Sequence, residues 1–159
     1  MLAITDLNAE FAQLNMSRGR TSQTTAAERQ ESQSFARFMP YRDGTIFITK
    51  FAGSGHWERH PKGDEIVQII DGTTTLHVVS EGRSEAFNLS AGAFLIIPQG
   101  AWHRFESADG VSWMTATPQP SDFSSVDEPT LRGPGPPSSA ADRPCTTQKA
   151  MRAPRVGAA

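Results

Sequence analysis

The chain has 159 residues, a formal net charge of −2 and a sequence pI near 6.1. This length suits one domain with its own core, and the charge does not favour binding to nucleic acid or to an anionic membrane. The sequence has no run of about 18 apolar residues, which excludes a transmembrane helix, and its single cysteine excludes an internal disulfide. Because the first residues also lack the layout of a signal peptide, we expect a small cytoplasmic protein.

Residues 1–34 are predicted to form an N-terminal helix and arm. Apolar residues recur there at helical spacing, and a helix is predicted over residues 6–15; the residues that carry this pattern are Leu7, Phe11 and Leu14. Residues 21–34 are polar and show no period, so they are interpreted as an exposed connector. The alternative is an arm that packs on a partner subunit, because exchanged N-terminal segments are a simple route to dimers.

Residues 35–120 are predicted to form an all-β barrel or jelly roll. Short runs of β-branched and aromatic residues alternate with turn signals at intervals of about 8–12 residues, which is typical of sandwiches and barrels. About eight strands are predicted, among them TIFITKF, EIVQII, TTTLHVV, AFLII, AWHRF and VSWMTAT. Asp71-Gly72 is the strongest hairpin signal, because this pair suits the two positive-φ positions of a type I′ turn.

Residues 121–159 are predicted to be a disordered tail. Eight of the eleven prolines lie from Pro118 onward, and large apolar residues become rare after Leu131. Such a composition cannot bury enough apolar surface to offset the entropy of ordering the chain. Cys145 lies in this tail without a base placed to activate it, so it is a poor candidate for a catalytic nucleophile.

A cluster of histidine and glutamate residues predicts a metal site. His56, Glu58 and His60 alternate in sequence, so on a strand their side chains project from one face, and Glu65 can join them from the next strand. Nitrogen and oxygen donors that converge on one point are typical of metal ligands. A further ligand must come from elsewhere in the chain, and His103, which follows a tight turn, is the candidate.

Two segments of the chain resemble the paired motifs of the cupin superfamily, whose small β-barrels hold a divalent metal. The first motif reads G-x5-H-x-H-x3,4-E-x6-G, and its second half is matched by His60, Glu65 and Gly72. The second motif reads G-x5-P-x-G-x2-H-x3-N, and all but its last position is matched by Gly92, Pro98, Gly100 and His103. The resemblance covers about residues 44–117 and implies an all-β, cupin-type jelly-roll barrel there; the short N-terminal helix or arm and the disordered C-terminal tail lie outside it. The metal ligands that it implies are Glu58, His60, Glu65 and His103.

Glu58 departs from the first motif, which has a histidine at this position. A carboxylate adds negative charge to the site and favours Fe²⁺ or Mn²⁺, with Zn²⁺ or Ni²⁺ as alternatives. Glu58 is expected to be a ligand or, when detached from the metal, a base. His56 is expected to be a further ligand or a general acid or base, so both residues are catalytic candidates. The alternative is a barrel that keeps the fold and has lost the metal.

The site favours an enzyme that acts on a small organic substrate at a divalent metal. A dioxygenase is one reaction class, and Lewis-acid isomerase or lyase chemistry is the other. The alternatives are a non-catalytic module that binds or senses a small molecule, and a barrel whose metal is structural. We expect a homodimer, because both faces of the strand at residues 65–70 carry apolar side chains and another subunit can cover the outer one.

Overall fold

The computed structural model describes residues 4–80 and 83–124. Two short helices and nine strands follow one another along these residues: α1 (Leu7–Ala12), β1 (Ser17–Arg20), α2 (Ala26–Glu31), β2 (Phe35–Tyr41), β3 (Gly44–Ser54), β4 (Trp57–Arg59), β5 (Glu65–Ser80), β6 (Arg83–Ser90), β7 (Phe94–Ile97), β8 (Trp102–Pro118) and β9 (Asp122–Ser124). The all-β jelly-roll prediction is confirmed. None of the described helices is long and apolar enough to cross a membrane.

The nine strands form one hydrogen-bonded sheet. Its long strands β5 and β8 pair antiparallel and divide it into two halves, called here the first and the second sheet. The N-terminal half of β5 lies beside the C-terminal half of β8, where Val67 is opposite Thr115. The C-terminal half of β5 lies beside the N-terminal half of β8, where Val78 is opposite His103. The first sheet follows the order β2-β3-β8-β5-β7, and the second follows the order β9-β4-β8-β5-β6. Each long strand therefore contributes side chains to both sheets.

The predicted hairpin at Asp71-Gly72 is wrong, because β5 continues through these residues. The register with β8 shifts on both sides of the pair, and Gly72, with φ +80°, pairs with Val111 next to Gly110, which has φ +124°. A β-carbon on Gly72 would lie 2.2 Å from the carbonyl oxygen of Gly110. The two strands thus bend where they cross from one sheet to the other. A positive φ serves a bulge in a strand as well as a turn, and the sequence signal is the same for both.

The hairpin between the two motif segments is confirmed. Strands β5 and β6 pair over residues 73–80 and 83–90, with Thr73 opposite Ser90 and Ser80 opposite Arg83. The connecting residues 81–82 lie outside the described part of the chain. The pairing places the two motif segments on adjacent strands of the barrel.

The N-terminal segment contains more structure than the predicted connector. Helix α1 starts after Asp6, whose side chain accepts from the backbone of Asn8 and Ala9, and it is shorter than predicted. Residues 21–34, interpreted as an exposed connector, are exposed or partly exposed apart from Ser34, and they include α2. Its capping box joins Thr25 and Glu28, and this pattern was readable in the sequence. The arm packs on its own chain, with β1 parallel to β3.

The apolar core fills the space between the two sheets beside the site. Its centre is a chain of aromatic rings, in which Trp113 lies 4.8 Å from Phe51 and 4.6 Å from Phe105 between ring centroids. Val67 and Ile69 are fully buried against these rings. The core therefore supports the interior face from which the site residues project.

The segment predicted as a C-terminal tail begins with strand β9. Residues 122–124 pair with β4, with Phe123 opposite Glu58, so this part of the segment adjoins the barrel. The rest of the predicted tail, residues 125–159 with Cys145, lies outside the described residues.

Candidate metal centre

Four elements of the barrel bring the predicted metal ligands together. Glu58 lies in β4 directly opposite His103 of β8, and His60 follows β4 by one residue. Glu65 is the first residue of β5. His60, Glu65 and His103 are buried, whereas the Glu58 side chain is 32% exposed. The ligand residues of the two motifs therefore form one cluster, because β4 pairs with β8 and only a short turn separates β4 from β5.

Three of these side chains could hold a metal ion. One donor atom from each of Glu58, His60 and His103 lies within 4.8 Å of the other two. The Nε2 atom of His103 is 3.8 Å from Oε1 of Glu58. Two imidazoles and a carboxylate form a donor set that suits first-row divalent metals.

Glu65 contacts both imidazoles, although it is not part of this group of three. Its Oε2 atom is 3.1 Å from Nε2 of His103 and 3.3 Å from Nε2 of His60. Its other oxygen, Oε1, accepts a hydrogen bond from the Thr117 hydroxyl. Glu65 is thus oriented with one oxygen held by the barrel wall and the other directed at the histidines.

Each imidazole is held by its Nδ1 atom. His103 Nδ1 is 3.1 Å from the carbonyl oxygen of Ala101, and His60 Nδ1 is 3.0 Å from the Ser121 hydroxyl. A carbonyl only accepts, so Nδ1 of His103 carries the proton, and a neutral ring has its free electron pair on Nε2. Such hydrogen bonds orient the histidine ligands of metal sites.

The Nε2 atoms of His60 and His103 are buried and have no hydrogen-bond partner. Their contacts with Glu65 are at ion-pair distance but lack the alignment of a hydrogen bond. A buried polar atom without a partner is unfavourable, and a metal ion would satisfy both atoms at once. The residues present therefore fit a divalent metal.

The two buried groups at the centre of the cluster shift each other's ionisation. Burial alone would raise the pKa of Glu65, but the contacts with His103 and His60 outweigh it and lower that pKa to about 2. Burial alone would lower the pKa of His103, but the Glu65 carboxylate outweighs it and raises that pKa above the usual value. Glu65 is therefore a buried anion at neutral pH and needs a positive partner, which is either protonated histidine or a metal.

A cavity of about 350 Å³ opens onto the carboxylates of Glu58 and Glu65. Aromatic rings and threonine hydroxyls form much of its wall, and the N-terminal arm closes part of it with Arg20, Ala26 and Arg29. The remaining lining residues are Phe35, Arg37, Phe47, Thr49, Phe105, Trp113, Thr115, Thr117, Gln119, Ser121 and Phe123. The volume is in the range of small-molecule sites.

The structure does not bring His56 into this cluster. Strand β4 begins at Trp57, so the alternation that relates Glu58 to His60 does not extend back to His56. The His56 ring lies 6.0 Å from that of Phe123, and burial, followed by repulsion from Arg29, lowers its pKa. His56 is therefore not positioned with the three donor atoms, and its role as an acid or base stays a prediction.

The motifs did not indicate the residues that orient the ligands or line the cavity. Thr117 and Ser121 contact Glu65 and His60, and the cavity is also lined by two arginines of the N-terminal segment and one of β2. The alternation of Trp113, Thr115 and Thr117 along one strand was a readable signal for the threonine, because Trp113 faces the core. The arginines had no such signal.

Comparison with known proteins extends these findings. The family profile named "Cupin domain" matches residues 47–116. Acireductone dioxygenases from two strains of Rhodopseudomonas palustris are 35% identical over 63 residues. The alignment covers 40% of this chain and 36% of those relatives, so the chain matches about a third of their length.

The fold is similar to that of solved cupin structures. A cupin-2 domain containing protein from Shewanella frigidimarina superposes with a TM-score of 0.52 at 20% identity, covering 73% of this chain and 95% of that one. At this identity the likeness shows the fold, and it agrees with the two motifs and the family profile. Residues 47–116 match the cupin family profile, and the fold of the described residues is that of a cupin.

Proposed function

We propose that this protein is a metal-dependent enzyme that acts on a small organic substrate, with dioxygenase chemistry as the favoured reaction. The observation that carries the proposal is the pair of buried, unpartnered Nε2 atoms of His60 and His103, which converge with the Glu58 carboxylate beside a cavity. The similarity to acireductone dioxygenases supports the reaction class over the matched third of those proteins.

Glu58, His60 and His103 would hold the metal, and Glu65 would be the fourth ligand or the counter-charge beside it. Fe²⁺ or Mn²⁺ is favoured because two imidazoles and two carboxylates form a hard donor set, with Zn²⁺ or Ni²⁺ as alternatives. The ion would supply Lewis acidity toward a substrate oxygen and, in the case of iron, redox chemistry with O₂.

The two glutamates have different roles in this proposal. Glu65 is buried and held by Thr117, so its carboxylate stays in place and keeps the site anionic. The Glu58 side chain is partly exposed and lines the cavity. It can therefore reach a bound substrate and accept a proton from it.

Metal analysis of untagged protein tests the site. We expect about one metal ion per chain in the wild type and loss of it in His60→Ala, because three ligands define such sites. His77→Ala is the matched control, since His77 pairs with Glu106 outside the cluster. A wild type that binds no Fe²⁺, Mn²⁺, Zn²⁺ or Ni²⁺, or an equal loss in both variants, would contradict the proposal.

The same preparations test the chemistry. With Fe²⁺-loaded protein and a panel of small substrates, we expect oxygen consumption that falls about 10²- to 10⁴-fold in Glu58→Gln if Glu58 is the base. Conversion without oxygen would favour the isomerase or lyase reaction. Saturable binding without conversion of any substrate would favour the non-catalytic module.

We also propose that the protein is a cytoplasmic homodimer with the domain limits 1–34, 35–120 and 121–159. Phe94 and Ile96 support a dimer, because they are 62% and 58% exposed on β7, at one edge of the first sheet. Apolar side chains that project together from an edge strand favour association.

A further inference from the structure

Three arginines that precede the matched cupin domain line the cavity that opens onto Glu58 and Glu65. Arg20 lies in β1, Arg29 in α2 and Arg37 in β2. All three precede residues 47–116, so the matched cupin domain does not contribute them. The arm therefore adds a chemical feature to the cavity that belongs to this chain.

Arg20 and Arg29 have no acidic partner in the part of the chain that the structure describes. The arginine–carboxylate pairs there are Arg59–Asp122 and Arg104–Glu106. The Nε atoms of Arg20 and Arg29 are buried without a hydrogen-bond partner. Their guanidinium groups instead lie over rings, with Arg20 4.5 Å from the Phe51 centroid and Arg29 5.6 Å from the Phe35 centroid.

The two guanidinium groups repel each other. Burial, followed by repulsion from Arg29, lowers the pKa of Arg20 to about 10, so it still carries its charge at neutral pH. Its nearest opposing charge is Glu58, which would be shared with a metal. Two partly buried like charges close to each other are unfavourable, and an anion bound by both would offset the repulsion.

The net charge of the cavity lining also favours a bound anion. Three guanidinium groups face two carboxylates around the lining, which leaves an excess of one positive charge. A divalent cation on the carboxylates would raise that excess to three. A site of this charge in an apolar surrounding attracts an anion strongly.

Aromatic walls define the rest of the ligand. Five rings line the cavity, from Phe35, Phe47, Phe105, Trp113 and Phe123. Flat apolar groups bind favourably between such rings, and a volume of about 350 Å³ limits the ligand to a small molecule.

We propose that the cavity binds a small carboxylate with a flat apolar body, whose carboxylate pairs with Arg20 and Arg29 while its other end faces Glu58 and Glu65. The inference rests on the proposed function, because it takes this cavity as the substrate site. It goes further by naming the substrate class and the residues that select it. Arginine suits this role because its planar guanidinium matches a carboxylate with two parallel hydrogen bonds.

Calorimetric titration with benzoate and with benzamide tests the proposal. Both probes have the same ring, but only benzoate carries the charge. We expect saturable binding of benzoate and about 10- to 100-fold weaker binding of benzamide, because the amide loses a charged hydrogen bond. Equal affinity for the two probes, or no saturable binding of benzoate at millimolar concentration, would overturn it.

Arginine variants locate the binding site. Arg20→Met and Arg29→Met should each weaken benzoate binding about 10-fold or more. Arg18→Met is the matched control, because Arg18 is exposed on the same strand as Arg20 and does not line the cavity. Arg29→Met guards against misfolding, since α2 has no buried residue. Wild-type affinity in both cavity variants, or an equal loss in Arg18→Met, would refute the assignment.

Metal content measured on the same samples separates this inference from the proposed function. Arginine-dependent binding of benzoate to protein that holds no metal would uphold the ligand class and contradict the enzyme proposal. Full metal occupancy with arginine-independent binding would leave the metal site standing and overturn the ligand class.

Discussion

Glu65 and His103 form the buried pair on which the candidate site depends. The Oε2 atom of Glu65 lies 3.1 Å from Nε2 of His103, and both side chains are buried. The motif spacing indicated these two residues without any knowledge of their surroundings. It could not indicate that the Ala101 carbonyl contacts Nδ1 of His103 or that the Thr117 hydroxyl donates to Glu65. Those contacts depend on strand pairing and side-chain orientation.

The shifted pKa values predict how the stability of metal-free protein depends on pH. The pKa of His103 is raised above 6.5, so its contribution is complete below pH 6.5 and is lost as the pH rises through the raised pKa. The pKa of Glu65 is lowered from 4.5 to about 2, so its contribution is present above pH 4.5 and is lost as the pH falls toward 2. We expect the free energy of unfolding of chelator-treated protein to fall as the pH rises above 6.5.

Urea unfolding of wild type and His103→Gln between pH 6 and pH 9 measures this effect. The wild type should have the larger free energy of unfolding at pH 6, and its advantage over the variant should shrink as the pH rises. The reason is that the variant lacks the titrating imidazole. Added metal should reverse the trend, since protons compete with the ion for His103. A difference that stays constant over this range would show that the His103–Glu65 contact does not titrate as described.

Strands β5 and β8 decide the shape of the barrel at the level of elements. Each was predicted as two strands, EIVQII and TTTLHVV for β5 and AWHRF and VSWMTAT for β8, and each is one bent strand. The hydrophobic pattern correctly placed these segments in β-strands in both cases. A glycine that follows an aspartate indicates a positive φ, but whether the chain then turns back or continues depends on which strand pairs beside it.

Gly72→Ala is expected to destabilise the barrel more than Gly92→Ala. Both glycines have similar φ values, +80° and +88°, so either alanine has the strain of the left-handed region, about 1–2 kcal/mol. Only at Gly72 does the β-carbon also meet the Gly110 carbonyl, whereas nothing lies within 4 Å at Gly92. We expect a further loss of about 1–3 kcal/mol at Gly72, measured by urea unfolding. Equal losses would show that the crossing of β5 and β8 tolerates a side chain.

At the scale of the whole molecule, the two edge strands of the first sheet, β2 and β7, differ in their exposed side chains. Its order begins with β2 and ends with β7, where Phe94 and Ile96 are exposed. The prediction of a dimer came from the apolar residues on both faces of the neighbouring strand. Only the structure identifies β7 as an edge strand on which such residues are left uncovered by residues 4–80 and 83–124.

Light scattering after gel filtration tests the dimer. We expect about twice the chain mass of 17.3 kDa for the wild type, and the mass of one chain for the double variant Phe94→Ser, Ile96→Ser. Tyr41→Ser is the matched control, because Tyr41 is an exposed aromatic residue on the opposite edge strand, β2. A wild type at the mass of one chain, or dissociation in Tyr41→Ser, would rule out dimerisation through β7.

Sequence patterns were sufficient to predict the fold class and to select the candidate ligand residues in the motifs. These follow from short-range spacing, because alternation along a strand and the distance from a turn are set within a few residues. The tertiary structure alone decided that β5 and β8 run on through their glycines, that His56 lies apart from the cluster, and that Arg20 and Arg29 reach the cavity. Each of these depends on contacts between residues far apart in the chain, and no local pattern specifies which distant strand or helix will supply them.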